Sequence, residues 1–360
     1  MATESGKIGH MANLLDNSAS PAAGDDIRDT LGRPLQDLRI SLLDRCNLRC
    51  PYCMPAAKYH KDYQFLTRDQ RLSHDEIYRV AAAAVSLGVT KLRLTGGEPL
   101  LDKNVIGLVR QLAGLPGVDD LALTTNGILL APLAKQLAEA GLHRITISLD
   151  SLDEDVFRLM SGDRGSIEKV LEGIDAAERA GLTPIKINVV VQRGVNDHTV
   201  LDLLDYFRGR GAIVRLIEFM DVGNRNGWSL DQVVPSREIL QQIQARWPVR
   251  AVGRNYPGEV ANRYQYLDGQ GEIGFISSVT EPFCGSCSRA RLSADGTLYT
   301  CLFATAGTSL KELLRDGSDD RELVAALRDI WLGRRDRYSE VREPVEKPLV
   351  NKVEMYRMGG

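Results

Sequence analysis

Asp44-Arg45-Cys46-Asn47-Leu48-Arg49-Cys50-Pro51-Tyr52-Cys53 follows directly on the strand-like run LRISLLD, residues 38–44. Thiolates bind soft metals, and this spacing lets one short loop wrap a single ion or cluster. Structural zinc takes four ligands, and a cubane iron–sulfur cluster usually takes four cysteines. This loop offers three thiols and no histidine, with His60 the nearest one. A cubane held here keeps one iron open for a substrate or cofactor. A zinc knuckle would have to draw its fourth ligand from elsewhere in the chain.

Outward from this loop the chain alternates. Strand-like runs recur at KLRLTGG, LALTTNG, RITISLD, IKINVVV and IVRLIEF, with helix-like runs between them. Ser73 and Glu76 form a capping-box pattern ahead of the stripe Ile77, Val80, Ala81, Ala84, and Gly88 suits the stop. Ile167, Val170, Leu171, Ile174 and Ala177 repeat that stripe up to Gly181. Six strands alternating with helices predict a parallel sheet with right-handed crossovers. An open sheet and a partial barrel share this pattern. Most of the strands end in polar or glycine-rich residues: Asp44–Cys46, Thr95–Glu98, Thr124–Gly127 and Ser148–Asp150. Sites in parallel α/β folds gather at such carboxyl ends.

Residues 1–33 lack sustained periodicity and read as a mobile N-terminal extension. The alternating unit spans 34–225. A smaller C-terminal domain is expected over 226–360, with one charged helical stretch from about Ser309 to Leu332. The 360 residues carry 45 Lys plus Arg against 48 Asp plus Glu, a net charge of −3. That balance gives no global case for nucleic acid or a membrane surface as partner, although a local basic pocket remains compatible with it. No apolar run reaches a membrane span, and Lys7 is not followed by a signal-type apolar stretch. The expected compartment is the cytoplasm.

The other three cysteines are Cys284-Gly285-Ser286-Cys287 and Cys301, again one thiol short of a closed site. C-x2-C is also a zinc pattern, but two self-sufficient trios favour two clusters. Arg289 and Arg291 follow at strand spacing, so they share a face. Paired guanidiniums beside an open iron suit an anionic substrate.

C-x3-C-x2-C followed by Thr95-Gly96-Gly97-Glu98-Pro99 resembles the radical S-adenosylmethionine superfamily. With Leu38–Ser41, Ile217–Asp221 and the second cysteine group, the chain from about residue 34 to its end resembles the GTP 3′,8-cyclase family within it. The resemblance implies an incomplete (β/α)6-type barrel and a C-terminal domain that carries a second iron–sulfur cluster. It implies two [4Fe-4S] clusters, one on Cys46, Cys50 and Cys53 and one on Cys284, Cys287 and Cys301. The first would bind S-adenosylmethionine and cleave it to a 5′-deoxyadenosyl radical; the second would bind GTP. By resemblance, Tyr52, Gly97, Ser148 and Met220 contact S-adenosylmethionine. Arg39, Arg93, Thr124, Lys186, Arg289 and Arg291 contact GTP. Arg215 belongs to the same anionic pocket, and Gly359–Gly360 form a tail inserted into the barrel to aid catalysis. The implied partners are GTP, an electron donor such as a flavodoxin or ferredoxin, and cyclic pyranopterin monophosphate synthase downstream; a homodimer is compatible. Two competing readings are an auxiliary-cluster radical enzyme acting on a peptide or protein, and a zinc-stabilised binding protein without catalysis.

Overall fold

The computed structural model describes residues 27–256, 258–342 and 352–359. Its first half alternates strand and helix as the periodicity predicts. In order it runs β1 (Asp37–Ser41), α1 (His74–Ser86), β2 (Lys91–Thr95), α2 (Val105–Ala113), β3 (Asp120–Thr125), α3 (Ala134–Glu139) and β4 (Arg144–Ser148). Then come α4 (Glu154–Ser161), α5 (Ile167–Arg179), β5 (Lys186–Val191), α6 (Val200–Phe207) and β6 (Ile213–Glu218). Each of β1–β6 pairs in parallel with the next. The Ser73–Glu76 capping box closes on α1, and Gly88 and Gly181 take the positive φ expected of helix stops.

Strand alternation sorts the two faces. Leu38, Ile40, Leu92, Leu94, Leu121, Leu123, Ile145 and Ile147 are all at most 1% exposed and share one core with Val80, Ala81, Ala84 and Leu108 of the helices. Arg39, Arg93, Thr124, Thr146, Ser148, Asn188 and Arg215 sit at the intervening positions. The register then aligns those polar side chains across the sheet. Arg39 pairs with Arg93 on one side and Arg291 on the other, Thr124 with Thr146, Thr146 with Lys186, and Asn188 with Arg215.

After α7 (Ser236–Arg246) come β7 (Val249–Val252), β8 (Asn262–Tyr266), β9 (Glu272–Ile276), β10 (Arg289–Leu292), β11 (Thr297–Tyr299) and β12 (Thr308–Ser309). These strands extend both edges of the same sheet. β9 joins β6 in parallel with β8 and β7 outside it, and β10 joins β1 in parallel with β11 and β12 outside it. Among the described residues the two outer edges do not pair with each other, so the barrel is open. The expected helical stretch at 309–332 is two helices, α8 (Lys311–Arg315) and α9 (Asp320–Leu332). Gly317 at φ +93° turns the chain between them, and Asp319 caps α9. The short α10 (Tyr338–Val341) and α11 (Met355–Met358) complete the described chain.

The expected N-terminal extension divides. Residues 1–26 lie outside the described residues. Within residues 27–33, Asp29 and Arg33 are buried, only 6% and 2% exposed, while Arg28, Thr30, Leu31 and Gly32 are exposed. A buried ion pair, rather than an apolar pattern, holds this segment, which is why periodicity does not reveal it.

Candidate active site

The loop after β1 is tied down on every side. Cys53 and Met54 N–H both donate to the Cys50 carbonyl, at 3.0 and 2.8 Å, which closes the turn. Arg49 donates to the carbonyls of Cys46 (2.8 Å) and Tyr59 (2.9 Å), and its own N–H reaches Ser161. The glycine-rich segment after β2 backs this loop. Gly97 N–H donates to the Leu43 carbonyl and Glu98 N–H to that of Arg45. A Cβ on Gly97 would lie 2.1 Å from the Arg45 carbonyl oxygen, so the glycine is required by this backbone contact. Glu98 turns away from solvent and accepts from Leu100 N–H, Thr125 Oγ1 and Asn126 N–H. Burial pushes its carboxyl up to about 7.

Both cysteine trios line one cavity of about 290 Å³. Of the residues expected from the sequence, Arg39, Tyr52, Arg93, Gly97, Thr124, Ser148, Arg215, Met220, Arg289 and Arg291 line it with them. Two expected residues among the described ones do not. Lys186 stands beside the wall, where its pKa is coupled to Arg215, Arg144 and Arg93. Gly359 packs against Thr95, and its carbonyl accepts from Arg291 Nη1. Gly360 lies outside the described residues. Met355 and Tyr356 of α11 also reach the cavity, so the terminal tail closes part of it.

The cavity holds more positive charge than its acids balance. Burial, then Arg291, pulls Arg39 well below the usual arginine range. Burial and Arg93 bring Arg215 down to about 9, and burial and Arg289 bring Arg291 down to about 10. Lys186 falls to about 7 through burial and then Arg215. Arg39 Nε and Arg289 Nε are buried without an acceptor among the described residues. Mutually depressed cations with spare N–H groups fit a polyanionic ligand.

The thiols have two environments. Burial pushes Cys46 up to about 11 and raises Cys50 and Cys53 as well. Arg49 offsets that burial only in part, and a cationic metal centre would favour the thiolate forms. Cys287 is the opposite case. Burial raises it, but Arg289 and Arg334 outweigh burial and hold it at about 6. Among the described residues no three His, Cys, Asp or Glu side chains close around one point as ligands of a single ion do. Each trio instead occupies a stretch of cavity wall.

Several site residues escape the sequence reading. Lys91 and Arg144 continue the period-two pattern of Arg93 and Ser148, and that period was their signal. Lys91 Nζ lies 3.0 Å from the Tyr256 ring centre, and Arg144 pairs with Asp120. Asn126 donates to Cys46 Sγ at 3.8 Å, and Tyr52 donates to Asp150 at 2.7 Å. Arg334 donates to Cys287 Sγ at 3.2 Å, with no local motif to announce it.

The Radical SAM superfamily model matches residues 40–207, and the Molybdenum Cofactor Synthesis C model matches 212–340. The chain is 54% identical to GTP 3′,8-cyclase of Xanthomonas axonopodis pv. citri, over 93% of this chain and 99% of that protein. It is 44% identical to GTP 3′,8-cyclase of Staphylococcus epidermidis, over 93% of this chain and 99% of that one. Among solved structures, Streptococcus suis SuiB bound to S-adenosylmethionine aligns with a TM-score of 0.56 at 15% identity, covering 82% of this chain and 68% of SuiB. anSMEcpe with bound AdoMet aligns at 0.53 and 15%, covering 80% and 79%. These structures share the fold. The sequence relatives carry the closer statement: the chain belongs to the GTP 3′,8-cyclase family of radical S-adenosylmethionine proteins.

Proposed function

We propose that this chain cyclises GTP to (8S)-3′,8-cyclo-7,8-dihydroguanosine 5′-triphosphate, the first step of molybdenum cofactor biosynthesis. The observation that carries this reading is the row of guanidiniums, Arg291 buried and the others half-buried, that lines one cavity with both cysteine trios. Arg39, Arg93, Arg215, Arg289 and Arg291 share one cavity wall, and such a wall recognises a triphosphate.

Cys46, Cys50 and Cys53 would hold one [4Fe-4S] cluster, and Cys284, Cys287 and Cys301 a second. When bound, the first supplies the electron that opens S-adenosylmethionine to a hydrogen-abstracting radical, and the second offers an open iron to the guanine. The chain's own residues set the geometry. Tyr52, Gly97, Ser148 and Met220 line the cavity and would contact S-adenosylmethionine. Thr124, held by Arg93 Nη1 at 3.1 Å, would fix the ribose end of GTP. Arg215, oriented by its bond to Asn188 Oδ1 (2.9 Å), would anchor phosphate together with Lys186. Gly359, on Arg291, would close the cavity against water, and Gly360 would follow it.

In this reading residues 34–225 form the partial-barrel unit and 226–360 the unit that bears the second cluster. A low-potential flavodoxin or ferredoxin supplies the electron in the cytoplasm, and cyclic pyranopterin monophosphate synthase consumes the product. A homodimer is compatible with it. Among the described residues no helix is long and apolar enough to cross a membrane.

The test is anaerobic turnover of the reconstituted chain with S-adenosylmethionine and reductant, with and without GTP. The expected result is GTP-dependent 5′-deoxyadenosine together with a cyclised triphosphate. Deoxyadenosine formed equally without GTP, with GTP recovered intact, contradicts the proposal. Arg215→Met should weaken GTP binding roughly 10–100-fold, the loss of one charge-assisted contact of about 1.5–3 kcal/mol. S-adenosylmethionine binding should hold.

A further inference from the structure

Asp29, Arg33 and Arg334 form a charged network that meets the cavity through Arg334. Their side chains are 0%, 1% and 2% exposed. Arg33 Nε lies 2.6 Å from Asp29 Oδ2, and Arg334 Nη1 lies 3.2 Å from the same oxygen. The other Asp29 oxygen accepts from the N–H groups of Leu31 and Arg33, so the carboxylate is also the hinge of its own turn. Thr30 Oγ1 donates to the Arg334 carbonyl at 2.7 Å, and Trp331 Nε1 to that of Arg33 at 3.0 Å.

Arg33 Nη1 and the Arg334 guanidinium also reach the loops of the second cysteine trio, while Arg33 Nη2 is buried without an acceptor among the described residues. Arg33 Nη1 donates to the carbonyl of Cys284 (2.9 Å) and to that of Asp336 (2.7 Å). Arg334 Nη1 donates to the Cys287 carbonyl (2.7 Å), and Arg334 Nε to that of Thr300 (3.1 Å), the residue before Cys301. Arg334 Nη2 donates to Cys287 Sγ at 3.2 Å, where Arg289 Nη2 donates as well. One carboxylate thus fixes the main chain at or beside all three cysteines. Burying such a network costs desolvation that apolar packing would avoid. What apolar packing cannot provide is an N–H aimed at sulfur. Hydrogen bonds to ligand sulfur favour the electron-rich form of an iron–sulfur centre and raise its potential.

We propose that Asp29, Arg33 and Arg334 are positioning residues of the C-terminal trio. They lock the loops that present Cys284, Cys287 and Cys301, and the Arg334 N–H on Cys287 Sγ sets the reduction potential of the cluster bound there. This rests on the reading that the trio carries a cluster, and the test separates the two claims.

The full-length chain with Cys46, Cys50 and Cys53 replaced by Ser leaves the C-terminal trio as the cluster-binding set. It is reconstituted without oxygen, assayed for iron and sulfide, and titrated for its midpoint potential by electron paramagnetic resonance. Iron-free protein at this step overturns the cluster reading, and the proposal with it. With the cluster present, Arg334→Gln in this background should move the midpoint to more negative potential. An unchanged midpoint overturns the proposal alone. If Arg334→Gln retains no cluster, Arg334→Lys, which keeps a buried cation but not the forked donor, is read instead. It should retain iron with a midpoint displaced in the same direction by a smaller amount, and a midpoint equal to the parent's overturns the proposal. Asp29→Asn should lower iron retention, because both arginines lose the oxygen they share. Full retention contradicts the positioning role.

Discussion

Lys186 shows how a single residue in this cavity responds to its neighbours. Burial and the cations Arg215, Arg144 and Arg93 bring its ammonium down to about 7. At pH 8 the empty site therefore holds Lys186 largely neutral, and at pH 6 largely charged. A triphosphate arriving beside it favours the charged form and raises its pKa. GTP binding at pH 8 should then take up as much as about one proton per GTP, and the uptake should fade toward pH 6. Calorimetry in buffers of different ionisation enthalpy reads this directly. Lys186→Met should abolish the uptake at pH 8, and an uptake that persists in that variant places the titrating group elsewhere. In the sequence, resemblance alone singles out Lys186, Arg93 and Arg215. Lys91 and Arg144 share strand spacing with Arg93 and Ser148 but carry no motif. Their place emerges only when the register sets neighbouring strands side by side.

At the scale of elements, the described terminal segment is held by close contacts along its length. Gly359 takes φ +70°, and a Cβ there would lie 2.0 Å from Thr95 Cγ2 at the end of β2. Tyr356 is 3% exposed, packs edge-on to Tyr59 and shares a hydrogen bond of 2.9 Å with Tyr63. Lys352 is fully buried on Asp221 Oδ2 at 2.6 Å. Gly359→Ala should dislodge the end of the tail, seen as faster proteolysis after the last basic residue, Arg357, and as lost turnover. Adding Thr95→Ala removes the nearest clash and should restore part of the protection. The left-handed φ leaves a residual cost of about 1 kcal/mol. No recovery in the double variant would show that Thr95 is not what requires glycine. A two-glycine end reads as a frayed terminus on local grounds; the burial of Gly359 depends on β2 and β10, far away in the chain. The six parallel strands were legible because alternation and turn signals are local. The strands at the sheet edges were not, since the chain after residue 225 pairs with both β1 and β6 without a repeating βα period.

At the scale of the whole molecule, the sheet brings together two cysteine groups more than 200 residues apart in sequence. β10 lies against β1, so the chain before Cys46 and the chain after Cys287 run side by side, and both trios open on one cavity. Each trio's spacing was readable in the sequence. Their shared cavity was not, because it depends on the parallel pairing of β1 with β10. Nor was the burial of Asp29 and Arg33 beside the second trio, which rests on Asp29 meeting Arg33 and Arg334 in the folded chain. Two three-cysteine clusters facing one GTP-binding cavity set the metal content of the chain. Iron, sulfide and zinc per chain are measured on anaerobically purified and reconstituted protein. The expected content is about eight irons and eight sulfides without zinc, falling to about four of each in Cys287→Ser. About four irons in the parent chain, or stoichiometric zinc, would contradict the two-cluster reading.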